Sequence, residues 1–85
     1  MDMPALVGWN FVRLRREKGL TQKQVAKRSG FSVQYLSALE QGRKNPRIMT
    51  LYRLAQALGV SHVELLRHPE SGVLESISSE QDKQK

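Results

Sequence analysis

The stretch that most constrains this chain runs from Thr21 to Gly42, TQKQVAKRSGFSVQYLSALEQG. It carries two helix-start signals in close succession. Thr21 with Gln24 three residues on forms a capping box, in which hydroxyl and amide side chains satisfy each other's backbone N–H groups. Ser32 is a second N-cap, and Gly42 stands where a helix ends in the C′ position. Between them Ser29-Gly30 leaves room only for a tight turn, and Gly30 can take the left-handed backbone that such a turn needs. The stretch therefore reads as two short helices set at a sharp angle.

The flanking sequence supplies three more helices and no strand, so the expected class is all-α. Pro4 suits the first helical turn, and Val7, Phe11, Leu14 and Lys18 recur on one helical face. Gly19 ends that helix, and Leu20 is expected to tuck into the core. Val25 and the small Ala26 face inward from the second helix, Ala26 allowing a close crossing. Phe31, Leu36 and Leu39 give the third its core contacts. Asn45, ahead of Pro46, is pushed out of the helical region, so the basic loop Arg43-Lys44-Asn45-Pro46-Arg47 must turn. Leu51, Leu54, Ala55 and Leu58 form a fourth amphipathic helix closed by Gly59. Ser61 is expected to cap a short fifth helix, with Glu64 completing a capping box and Val60 and Leu65 forming a hydrophobic staple. Residues 1–68 make one domain by this reading. From Pro69 the sequence is rich in Ser, Glu, Gln and Lys and predicts a mobile tail over 69–85. Val73, Leu74 and Ile77 are its apolar exceptions, able to dock on the domain or on a second subunit.

Composition excludes several classes of function. There is no cysteine, hence no disulfide framework and no Cys-based zinc site. His62 and His68 have no acidic cluster near them, so neither a metal nor any other cofactor is expected. The apolar run Ala5–Trp9 is too short for a signal core or a membrane span. The only aspartates are Asp2 and Asp82, and no nucleophile with a positioned base can be assembled, so an enzyme is not expected. Charge points the other way, toward a polyanion. The chain carries a formal +6, and from Phe11 to Arg53 eleven Lys/Arg face only Glu17 and Glu40.

A Gly-containing turn between two short helices matches the helix-turn-helix pattern, whose second helix enters a DNA major groove. At 100° per residue, Leu36, Leu39 and Glu40 share one side of that helix. Gln34, Ala38 and Gln41 lie opposite, with Ser37 on the flank. The outward face is thus small and amide-bearing, suited to base edges at close range.

From about Val7 to Leu66 the sequence resembles the lambda-repressor-like, Xre/Cro-type family of helix-turn-helix domains. The matching residues include Leu14-Arg15, Lys18-Gly19-Leu20-Thr21-Gln22, Ala26, Ser29-Gly30, Leu39-Glu40-Gln41-Gly42, Asn45-Pro46 and Ala57-Leu58-Gly59-Val60-Ser61. The resemblance implies five helices, the third in the major groove, and dimeric binding to double-stranded DNA at a two-fold operator. It places base contacts at Val33, Gln34 and Ala38. Gln34 can pair bidentately with adenine, whereas Val33 and Ala38 offer only apolar contact, which leaves a larger share to DNA shape. Gln22 falls at the family's phosphate-gripping position at the start of the second helix. Arg43, Lys44 and Asn45 look placed for the backbone. Tyr35 and Ser37 belong at the groove edge, although Tyr35 could instead lie half-buried against the second helix. The family's ion pair between helices one and three maps onto Arg15 and Glu40.

Trp9, off the stripe of helix one, is expected to cover the core edge rather than to serve an interface. Val63 and Leu66, around helices four and five, are the candidates for a homodimer surface. The expected function is a cytoplasmic bacterial or phage-type transcriptional regulator without a small-molecule effector. The alternative is an antitoxin-like or bridging module whose main partner is another protein.

Overall fold

The computed structural model describes residues 1–69; the expectations for the tail, including Val73, Leu74 and Ile77, fall outside them. Four α-helices are present: α1 Met3–Glu17, α2 Gln22–Ser29, α3 Val33–Glu40 and α4 Ile48–Leu58, followed by a 3₁₀ helix His62–Leu66. No described residue is in a strand. Local chemistry sets most of the boundaries. Asp2 caps α1 through Ala5 N, with Pro4 in the first turn, and Lys18 falls just past the helix as an exposed C-cap. Thr21 and Gln24 complete their capping box at 2.8 and 3.0 Å. Gly30 turns the chain between α2 and α3 at φ 84°, a conformation that any side chain would strain.

The core gathers Val7, Phe11 and Leu14 of α1 with Val25, Leu36, Leu39, Leu51, Leu54, Ala55, Leu58 and Leu65. Leu20, Ala26, Phe31 and Val60 pack half-buried against it. The arc buried on α1 is broader than its apolar stripe, taking in Leu6, Gly8 and Asn10. The reason is that α1 packs against α3 on one flank and the 3₁₀ helix on the other. Asn10, completely buried, donates from Nδ2 to the carbonyls of Leu65 (2.9 Å) and Arg67 (2.7 Å). A buried amide is tolerable because its donors are satisfied.

The fifth element departs from expectation. Glu64 N donates to the Ser61 carbonyl at 3.0 Å, the i→i+3 bond of a 3₁₀ turn, and the Ser61 hydroxyl accepts from Val63 N instead. Glu64 therefore closes no capping box and reaches Arg67 at 3.2 Å. Arg67 is already extended (ψ 130°), and His68 precedes a proline, so the chain cannot wind on into an α-helix.

Gly8 explains how closely α1 crosses α3. A Cβ added there would stand 2.3 Å from the Leu39 carbonyl oxygen and 3.1 Å from that of Glu40. Gly8→Ala would improve helix propensity by about 1 kcal/mol at an open site. Here the clash is with backbone, and the expected outcome is a net loss of about 1–3 kcal/mol. A melting temperature above that of the wild type would overturn this account.

Candidate nucleic-acid interface

The outward face of α3 begins where Ser32 releases the chain into helix by accepting from Tyr35 N at 3.0 Å. Val33 (39% exposed) and Gln34 occupy the first turn and face solvent; Ser37 and Ala38 follow, half-buried. Leu36 and Leu39 are sealed in the core. Three amide side chains lie on or beside this face, in different states. Gln22 Nε2 donates to Glu40 at 2.9 Å and Gln41 Nε2 to the Ser37 hydroxyl at 3.3 Å. Gln34 is exposed and engaged by nothing among the described residues, which leaves its oxygen and nitrogen both free.

Behind that face sits a charged joint. Arg15 Nε meets Glu40 Oε2 at 2.6 Å and Nη2 meets Oε1 at 3.2 Å, a bidentate pair with side chains 12% and 11% exposed. Arg15 Nη1 also donates to the Leu20 carbonyl at 2.8 Å, so the guanidinium ties α1 to the loop before α2 and to α3 together. Gln22 joins from the N-terminus of α2. Its amide nitrogen carries two hydrogens, of which one is spent on Glu40. Sequence reasoning placed Gln22 at the phosphate position and missed the Glu40 bond, because it spans 18 residues and exists only through the fold.

The edges of α3 are basic. Arg43, Lys44 and Asn45 are exposed in the loop that follows it. Lys44 Nζ stands 5.6 Å from the centre of the Tyr35 ring. Tyr35 is half-buried and stacks on Phe31, centroids 5.0 Å apart and planes 20° off parallel, so its ring packs beside the turn as well as on α3. Burial raises its phenol pKa above the ordinary 10.0. No cluster of His, Cys, Asp or Glu able to hold a metal occurs among the described residues, and none of their helices is long and apolar enough to cross a membrane.

A family model described as helix-turn-helix (HTH_3) matches residues 12–65, more than half of the chain. The chain belongs to the lambda-repressor-like helix-turn-helix family. An uncharacterized HTH-type transcriptional regulator of Sinorhizobium fredii, y4dJ, is 74% identical to it over 66 residues, 78% of this chain and 86% of that protein. Among solved structures, the hypothetical transcription factor NHTF from Neisseria matches with a TM-score of 0.78 at 32% identity, over 85% of this chain and 83% of that one. The restriction-modification controller C.Esp1396I, solved as a tetramer on its natural 35-base-pair operator, matches with a TM-score of 0.70 at 29% identity, over 76% and 86%. The family is one of transcriptional regulators, not enzymes.

Two features of this helix-turn-helix regulator stand apart from the α3 face. Trp9 is 42% exposed on the far side of α1, under the Arg13 guanidinium, and does not close the core edge. The buried arc of α1 is wide but centred on Val7 and Phe11, and Trp9 lies opposite it. Val63 is 55% exposed, whereas Leu66 packs half-buried against the core. On α4 the apolar Ile48, Met49 and Tyr52 are 70%, 66% and 47% exposed, and they share a shallow surface with His62. The periodicity could have revealed them: Met49 and Tyr52 sit about 160° and 100° around the helix from Leu51, off the core stripe.

The Arg15–Glu40 joint is nearly out of water, so either charge left alone is costly. Glu40→Ala and Arg15→Ala should each destabilise the domain by about 3–5 kcal/mol. The double variant should lose less than the two singles summed. Thermal melts of the three variants test this, and an unaltered melt for either single would refute it.

Proposed function

We propose that this chain is a sequence-specific transcriptional regulator that binds a two-fold operator as a homodimer, with α3 in the major groove. The observation that carries the reading is the outward face of α3. It presents an unengaged Gln34 between small side chains, at the centre of the most basic part of the chain. The operator complex of the structurally similar controller supports the same use of the fold. Gln34 is the base reader, its amide matched to adenine N6 and N7. Val33 and Ala38 contribute apolar contact, of the kind a thymine methyl accepts. Gln22, Tyr35, Ser37, Arg43, Lys44 and Asn45 hold the phosphates and sugars on either side. Such contacts give affinity without sequence and a steep dependence on salt.

The second copy is argued from the apolar surface of Ile48, Met49 and Tyr52 on α4, with Val63 exposed on the 3₁₀ helix that packs against α4. Large exposed apolar side chains that cluster on one face mark an interaction site. Dimers of such domains set two recognition helices about one helical turn of DNA apart, roughly 34 Å. The antitoxin-like reading uses the same apolar surface for a different protein. A chain acting only in that way would keep its function after α3 is altered.

Selection of bound fragments from random DNA by the purified protein should return a two-fold site. On that site Gln34→Ala should cost about 1–3 kcal/mol and relax preference at one base position per half-site. Arg43→Ala should weaken all sequences alike and flatten the salt dependence. Equal losses on specific and random DNA for Gln34→Ala would exclude base reading there. Met49→Asp, on the apolar surface and outside the core, should convert a dimer to a monomer in sedimentation equilibrium at tens of micromolar while leaving the helical circular-dichroism spectrum unchanged and removing the concentration dependence of the melting temperature. A wild-type monomer under those conditions, on and off DNA, would end the dimer assignment.

A further inference from the structure

A stack of four side chains runs along the edge of the domain where α3 begins. Arg53 of α4 lays its guanidinium over Phe31, 4.4 Å from the ring centre, and donates from Nη2 to the Ser29 carbonyl at 3.0 Å. Phe31 stacks on Tyr35 at 5.0 Å, and Lys44 covers the Tyr35 ring at 5.6 Å. The series joins α4, the turn, α3 and the basic loop. We propose that Arg53 is a positioning residue for sequence reading, which sets the angle of the first turn of α3 through Phe31 and Tyr35 without itself touching DNA.

The argument begins with where α3 is anchored. Its fully buried contacts, Leu36 and Leu39, and its ion pair through Glu40 all lie in the middle and the C-terminal half of the helix. Gln34 stands six residues before Glu40, about 9 Å along the axis at 1.5 Å per residue. A helix held at one end can tilt at the other, and base reading depends on the free end. The side chains that hold that end are Phe31 and Tyr35, both half-buried, and what backs Phe31 is Arg53.

Arginine suits the position in two ways at once. The flat face of a guanidinium stacks on an aromatic ring while its edge donates in plane, a combination an ammonium cannot reproduce. The carbonyl it reaches is in the last turn of α2, where acceptors lack a helical partner and a cation is favoured. Beneath it Gly30 passes closely, a Cβ there coming within 3.5 Å of Arg53 Nη2. One side chain therefore grips the end of α2, the turn and the approach to α3. Arg53 is exposed, so an ordinary surface charge is the rival account, either as a cap on α2 or as a phosphate contact.

The inference rests on α3 reading bases, and its test uses the duplex recovered by selection together with a random duplex of equal length. Arg53→Lys keeps the charge and removes the combined stack and bond. It should weaken operator binding about tenfold, the scale of one impaired base contact. Affinity for random DNA, the slope of affinity against salt and the melting temperature should stay at wild-type values. In a Tyr35→Leu background the same change should cost less than twofold, because the stack is already broken. Equal losses on both duplexes would make Arg53 a phosphate contact, and a lowered melting temperature that tracks the lost affinity would make it merely structural. Either result overturns the proposal, as does full operator affinity in Arg53→Lys. A wild type that does not distinguish the two duplexes would instead overturn the base-reading function, and this inference with it.

Discussion

The arrangement of this domain depends on the contact between Arg15 and Glu40. Two opposite charges, each about nine-tenths out of water, meet in a bidentate geometry, with the Leu20 carbonyl and the Gln22 amide bonded to the same pair. Such a pair adds little net stability over an apolar replacement, since desolvation offsets most of the attraction. What it adds is direction. A hydrophobic contact slides; a fork of two hydrogen bonds does not. The pair fixes how far α3 is rotated about its own axis relative to α1. Gly8 fixes how near the two helices come, because the Leu39 carbonyl occupies the space a side chain would need. Attraction sets the angle and backbone contact sets the distance.

With that joint in place, the proposed function divides binding and reading between different parts of the surface. On the proposed function, the basic groups at the edges of α3 supply attraction to any duplex, and Gln34 supplies most of the direct discrimination. Apolar Val33 and Ala38 narrow the direct code further, which shifts selectivity toward the shape and deformability of the site. Gln22 falls in the binding part of that proposal and is also tied to the joint. Its bond to Glu40 holds the side chain in place, and on the same proposal its second amide hydrogen meets a phosphate oxygen.

Much of the fold is legible in the sequence because it is written in local chemistry. The caps at Thr21 and Ser32, the glycines at 30, 42 and 59 and the apolar periodicity of α1 and α4 each act within a few residues of themselves. Most of the departures involve distance along the chain. Leu6 and Asn10 are buried because α1 is covered on two flanks, which no stripe on a single helix discloses. Gly8 in mid-helix looks like a local defect until the carbonyl opposite it is seen. The fifth helix follows the capping rule as far as Ser61 and then winds as 3₁₀, since Pro69 and the two carbonyls taken by Asn10 stop the chain from continuing. At the site, residue types on α3 were readable from spacing, while the Gln22–Glu40 bond and the Arg53–Phe31–Tyr35 stack were not. Each joins elements that only tertiary structure brings together.

The Asn10 amide has a consequence for how the chain reaches this state. It bonds carbonyls 55 and 57 residues downstream, whereas the packing of α2 on α3 involves neighbours in sequence. Closing a long loop costs entropy that rises slowly with its length, about 0.6 kcal/mol per doubling, and nothing is gained until the ends meet. The helix pair at the centre can therefore form early, and the seam between α1 and the 3₁₀ helix closes late. Interactions formed late govern how fast a protein comes apart rather than how fast it assembles. One buried amide, remote from α3, thus acts chiefly on the lifetime of the folded regulator.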